Sequence, residues 1–132
     1  MTLVDGLQRA IAGLTYSSES DRPFIVVRLD DPSPDRPLDA AYLRERLRVP
    51  ADAAVELRTI DDVLARHTHR TDPYDVETQR VRPRYEALQA LCERVLDGAV
   101  AVRVGRTEVQ LWLLGRAPDG GLLGLRTVAI ET

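Results

Sequence analysis

The chain of 132 residues suits one domain with one hydrophobic core. Its 44% hydrophobic and 30% charged content is that of a soluble globular protein, and no apolar run approaches the roughly 20 residues of a spanning helix. All 18 basic residues are arginine, which excludes the phosphate-gripping lysine of a P-loop and any Schiff-base mechanism. The net charge of −3 argues against direct nucleic-acid binding, because most arginines sit beside acids, as in Arg44-Glu45-Arg46. Residues 17–39 hold six acids (Glu19, Asp21, Asp30, Asp31, Asp35 and Asp39) against three arginines. That excess suits a basic partner, although aspartate-rich loops are also simply turn chemistry. Residues 1–15 lack a basic start followed by an apolar run, so the expected location is cytoplasmic, with no membrane association.

Taken in chain order, Leu3, Leu7, Ala10, Ile11 and Leu14 predict an amphipathic helix over 3–13, stopped by Gly13. The polar run Ser17-Ser18-Glu19-Ser20-Asp21 reads as a connecting loop. Phe24–Leu29 is β-branched and predicts a strand. Three prolines in Asp31–Pro37 make a loop, followed by a short helix at 39–48 that Pro50 ends. Ala54–Arg58 alternates like a strand, and Thr59 with Asp62 caps the next helix. His67–Tyr74 is polar, contains Pro73 and reads as a loop. Residues 77–97 form the longest predicted helix, with Pro83 near its first turn and Gly98 ending it. Ala99–Val104 and Thr107–Leu114 flank a Gly105-Arg106 hairpin signal, and a second turn at 117–121 leads into a final strand, Leu122–Glu131. Val109–Leu114 is apolar on both faces, which calls for a layer on each side of the sheet. The predicted class is therefore α/β, a three-layer α/β/α sandwich around a mainly antiparallel sheet, as one domain over 1–132.

Candidate chemistry is sparse. Cys92 is the only cysteine and falls on a buried helical stripe, where it packs as a small hydrophobe. His67 and His69 lack a third ligand at metal spacing. His67 is expected near a helix C-terminus, a position that suits the helix dipole. Gly120–Gly124 leads into a strand rather than a helix N-terminus, so it is no phosphate cradle. Trp112 fits a central strand better than a stacking platform. No active-site constellation, metal site or cofactor is expected, and the chain is expected not to be an enzyme. The final strand runs straight to Glu131-Thr132, so a terminal carboxylate held near the sheet is expected.

Two segments resemble a known family. Leu14-Thr-Tyr-Ser-Ser-Glu-Ser-Asp-Arg-Pro-Phe-Ile-Val-Val27 and Glu108–Thr132, down to the Glu-Thr ending, resemble the corresponding segments of the nuclease A inhibitor family. The resemblance implies an α/β/α fold similar to plant pathogenesis-related proteins. It also implies inhibition of a sugar-non-specific DNA/RNA endonuclease of the ββα-metal class. Glu19 matches the family's key glutamate and Thr132 its C-terminal threonine. The resemblance implies that both approach the nuclease's catalytic ion, with the Thr132 carboxylate meeting that partner ion only in the complex. Ser18 and Ser20 beside Glu19, and Glu131 beside Thr132, join the implied nuclease-binding surface. Asp72 and Tyr74 match a family contact loop that carries Asp-Trp-Tyr, with Pro73 in place of the tryptophan. That replacement keeps open a second possibility, a binding module of the same fold with a different or lost partner. Oligomeric state is open, with a monomer expected.

Overall fold

The computed structural model describes residues 2–131. In chain order the elements are α1 (Leu3–Ile11), β1 (Thr15–Ser17), β2 (Asp21–Pro23), β3 (Ile25–Leu29), α2 (Ala40–Arg46) and β4 (Val55–Arg58), followed by α3 (Ile60–Thr68), α4 (Val76–Val95), β5 (Asp97–Val104), β6 (Glu108–Arg116) and β7 (Leu122–Ile130). The five longer strands form one sheet in the order β3-β7-β6-β5-β4, with every neighbouring pair antiparallel. β1 and β2 make a separate hairpin.

Two-residue alternation along β6 sorts its side chains to opposite faces. Val109, Leu111 and Leu113 join the larger core with residues of α1, α3 and α4, among them Leu7, Leu64 and Leu88. Leu114 faces the other way, with Val102, Leu122 and Leu43 of α2, and Trp112 packs partly buried against this second cluster. Both faces of the sheet therefore carry helix, three on one side and one short helix on the other, and the chain is an α/β protein as its apolar β6 strand required. The thin second layer is pinned by ions. Arg116 Nε donates to Asp31 Oδ2 at 2.8 Å, with the Asp31 side chain 3% exposed, and the Tyr42 hydroxyl donates to the other Asp31 oxygen. The Arg116 guanidinium beside Asp31 holds its carboxyl below the usual carboxylate range. Asp31 thus leaves the acidic surface expected of residues 17–39, and Asp39 is occupied as the α2 cap, accepting from Tyr42 N–H at 2.9 Å.

Three local expectations change. The 17–21 run, expected as a connecting loop, is the tip of a hairpin whose strands pair from Thr15↔Pro23 to Ser17↔Asp21. α4 begins at Val76, one residue before the expected 77, where Asp75 caps it by accepting from the Glu77 and Thr78 N–H groups. Pro83 therefore lies inside the helix, where it has no N–H to offer the preceding turn. The cap and the buried stripe of Tyr85, Leu88 and Cys92 outweigh that loss. Gly98 does not end the helix; it lies within β5 at φ 66°, where the pairing with β6 shifts register between Asp97 and Val100.

Central strands approach closely at Gly124 of β7, where an added Cβ would meet the Leu113 carbonyl oxygen at 1.8 Å. Gly124→Ala is expected to lower stability by about 3 kcal/mol or more, since backbone must move to admit it. Urea denaturation of the two proteins measures the difference.

Candidate functional site

Glu19 sits at the tip of the β1–β2 hairpin, between the register pair Ser17↔Asp21. Ser18 shapes that tip. Its N–H donates to the Ser20 carbonyl at 3.0 Å. Its hydroxyl donates to the same oxygen at 3.1 Å and accepts from Ser20 N–H at 3.5 Å and Ile130 N–H at 2.9 Å. One donor and two acceptor positions are the full capacity of a hydroxyl, and Ser18 uses all of them. Glu19 N–H in turn donates to the Ile130 carbonyl at 3.3 Å. The tip is thus stitched to the last residue of β7, while the Glu19 residue remains exposed.

The base of the hairpin is held from the helices. Tyr16 is 1% exposed and its hydroxyl reaches the Val63 carbonyl at 3.4 Å. The Tyr85 hydroxyl donates to the Thr15 carbonyl at 2.7 Å. Arg66 lies over the Tyr16 ring at 4.8 Å and donates to the Ser17 carbonyl. His67 stacks on Tyr85 with centroids 4.0 Å apart, and its Nε2 accepts from Ser17 N–H at 3.3 Å. That bond requires a neutral ring. Burial pushes the His67 pKa down to about 4, with the neighbouring Arg66 charge acting in the same direction and Asp21 opposing it. His67 lies in the last turn of α3 as expected, and there desolvation overrides the helix dipole.

The other expected site residues divide. Glu131 follows β7 directly; its N–H donates to the Thr107 carbonyl at 2.7 Å, and its carboxylate is bound by Arg103, whose side chain is 17% exposed. Glu131 is thereby tied to the end of the central strands, close to the hairpin tip. Thr132 lies outside the described residues. Asp72 and Tyr74 are on the α3–α4 connection, where Asp72 Oδ1 accepts from Tyr74 N–H at 2.9 Å. Gln79 donates to the Asp72 carbonyl at 2.9 Å. Tyr74 is 91% exposed. Among the described residues no hydrogen bond joins Asp72 or Tyr74 to Glu19. Sequence reasoning missed Tyr16, Arg66, His67, Tyr85 and Arg103 as supports, because they come from separate elements and share no local spacing. The one available signal was the Thr15-Tyr16-Ser17 alternation, too short to stand out.

Neutral His67 makes stability depend on pH. The unfolded chain binds a proton near pH 6.5 that the folded chain refuses until about 4, so stability is full above the first value and falls as pH drops toward the second. Discounted for partial exposure, the loss is about 2 kcal/mol. His67→Gln retains an acceptor for Ser17 N–H and should flatten this slope. Denaturation midpoints across the interval test it, and an unchanged slope would refute the role given to His67.

No curated protein matches the chain. The family model described as nuclease A inhibitor-like protein matches residues 1–132. The chain belongs to the nuclease A inhibitor-like family.

Proposed function

We propose that this protein inhibits a non-specific, metal-dependent DNA/RNA endonuclease by presenting Glu19 and the Thr132 carboxylate to the catalytic divalent ion. The observation that carries this is the Glu19 N–H bond to the Ile130 carbonyl at 3.3 Å. It sets the Glu19 backbone against Ile130, which precedes Thr132 by two residues in the sequence. Membership of an inhibitor-like family supports the same assignment, and the protein acts by occupying a site rather than by catalysis.

A nuclease site holds a hard cation and basic groups shaped for phosphate. Magnesium takes oxygen ligands and keeps several waters, so a carboxylate can stand where the scissile phosphate would and cannot be cleaved. An α-carboxyl with a reference pKa of about 3.5 is ionised at neutral pH. Ser18 and Ser20 hold the Glu19 backbone, and Arg103 holds Glu131, so little conformational freedom is lost on binding. A specific complex buries roughly 1,200–2,000 Å² in total, more than two carboxylates provide. Tyr74, 91% exposed beside Asp72, is an aromatic able to extend the contact.

Glu19→Ala is expected to weaken inhibition at least about 30-fold, the equivalent of roughly 2 kcal/mol at a hot spot. A short Gly-Ser extension after Thr132 should weaken it comparably. The assay follows DNA degradation by a magnesium-dependent non-specific endonuclease titrated with each protein. Undiminished cleavage with excess wild-type protein would overturn inhibition, whereas full inhibition by the extended protein would overturn only the role of the terminal carboxylate.

A further inference from the structure

Next to the end of β7 lies a cleft of about 210 Å³ into which four arginines project from three parts of the fold: Arg58, Arg66, Arg70 and Arg103. Two carboxylates, Asp62 and Glu131, line it as well. These six charges are unequally matched. Arg58 donates to both Glu56 and Asp62, and Arg103 is paired with Glu131. Both carboxylates of the cleft are therefore taken. Arg66 has only a neutral acceptor, the Ser17 carbonyl, and Arg70 makes no ion pair among the described residues. A chain of net charge −3 thus gathers, in one cleft, two guanidiniums that no side-chain carboxylate among the described residues pairs with.

We infer that this cleft binds an oxyanion between Arg66 and Arg70. A guanidinium presents its N–H groups in a rigid fork that matches the paired oxygens of a carboxylate or a phosphate. The frame around the forks is fixed in advance. Arg66 is braced on Tyr16, which is 1% exposed, and the Arg103–Glu131 pair closes one wall. Asp62 and Glu131 disfavour an incoming anion, and their pairing with Arg58 and Arg103 offsets that repulsion. The ligand chemistry is shared by two sources, an acidic side chain on the nuclease surface and a free phosphate. The cleft adjoins Glu131 and the base of the Glu19 hairpin, so a nuclease docked on that tip would lie over it. This protein source, unlike the anion site itself, rests on the inhibitor assignment.

The test begins with the free protein. Inorganic phosphate is titrated at constant ionic strength, balanced with chloride, while NMR follows the amides of residues 66–70 and 103. Saturable shifts there are expected, with affinity weakened roughly tenfold or more in Arg70→Gln. Arg106→Gln, on the β5–β6 turn, is the control that should bind as wild type does. Shifts that do not saturate, or that match those from chloride alone, overturn the anion site. So does equal binding by Arg70→Gln, an exposed substitution that leaves the Arg66 bond to Ser17 in place. A second arm measures direct binding of the protein to the nuclease. If the ligand is a nuclease carboxylate, both saturating phosphate and Arg70→Gln weaken the complex; if it is a free phosphate, neither does and the first arm stands. Failure of wild-type protein to bind any such nuclease would remove the inhibitor assignment and leave the phosphate titration to decide the cleft.

Discussion

The hydrogen bond from Ile130 N–H to the Ser18 hydroxyl spans 112 residues of sequence, and the arrangement of the whole site depends on it. β7 pairs with β6 as far as Glu108↔Ile130, so its end is fixed by the sheet. By attaching the hairpin tip to that end, Ser18 gives a short polar segment the position of a sheet residue. The reciprocal Glu19 N–H bond to the Ile130 carbonyl completes the junction. Two hydrogen bonds of this kind are each worth only about 1 kcal/mol net, and they hold because the base of the hairpin is already packed. Tyr16 is buried between α3 and the sheet, and Tyr85 and His67 reach the hairpin backbone from the helices.

Apart from the Arg66 guanidinium, that support is built from neutral groups. A protonated His67 would have a donor on each nitrogen and could not accept from Ser17 N–H. Burial against Tyr85 and Tyr16 disfavours the charged form, so packing and hydrogen bonding reinforce each other. Charges are instead confined to defined places. The Arg116–Asp31 pair anchors the thin layer over the second face. Arg103 holds Glu131 at the end of the chain. In both pairs the cation is arginine, as it must be in a chain without lysine, and in both it lies at or near the sheet while its carboxylate sits on a loop or strand end. A planar guanidinium is well suited to such half-buried pairs because it is weakly hydrated and its donors are already oriented.

A weak overall charge conceals this segregation. The exposed acid of the hairpin tip and the arginine cleft below it lie at one end of the sheet. An interaction surface with charge of both signs discriminates between partners more sharply than a uniformly acidic one, since each mismatch leaves a group unpaired.

Much of the fold follows from local sequence. β6 carries apolar residues on both faces, and that requires helices above and below the sheet. Leu88 and Cys92 recur at helical spacing and are buried together. Gly105 and Gly120, both at positive φ, stand at the turns between the last three strands. The family resemblance was likewise legible, in the Ser-Glu-Ser tip and the Glu-Thr ending. Other features needed tertiary structure, for physical reasons. A three-residue strand such as Thr15–Ser17 has too few side chains to show periodicity, and its pairing is stabilised by contacts from α3, α4 and β7. The state of His67 depends on burial, which its helix-end position in the sequence does not reveal. Whether a charge is buried or exposed depends on its neighbours in space: Asp31 and Glu19 look alike in an acidic stretch, and only the fold buries one against Arg116 and exposes the other at the hairpin tip.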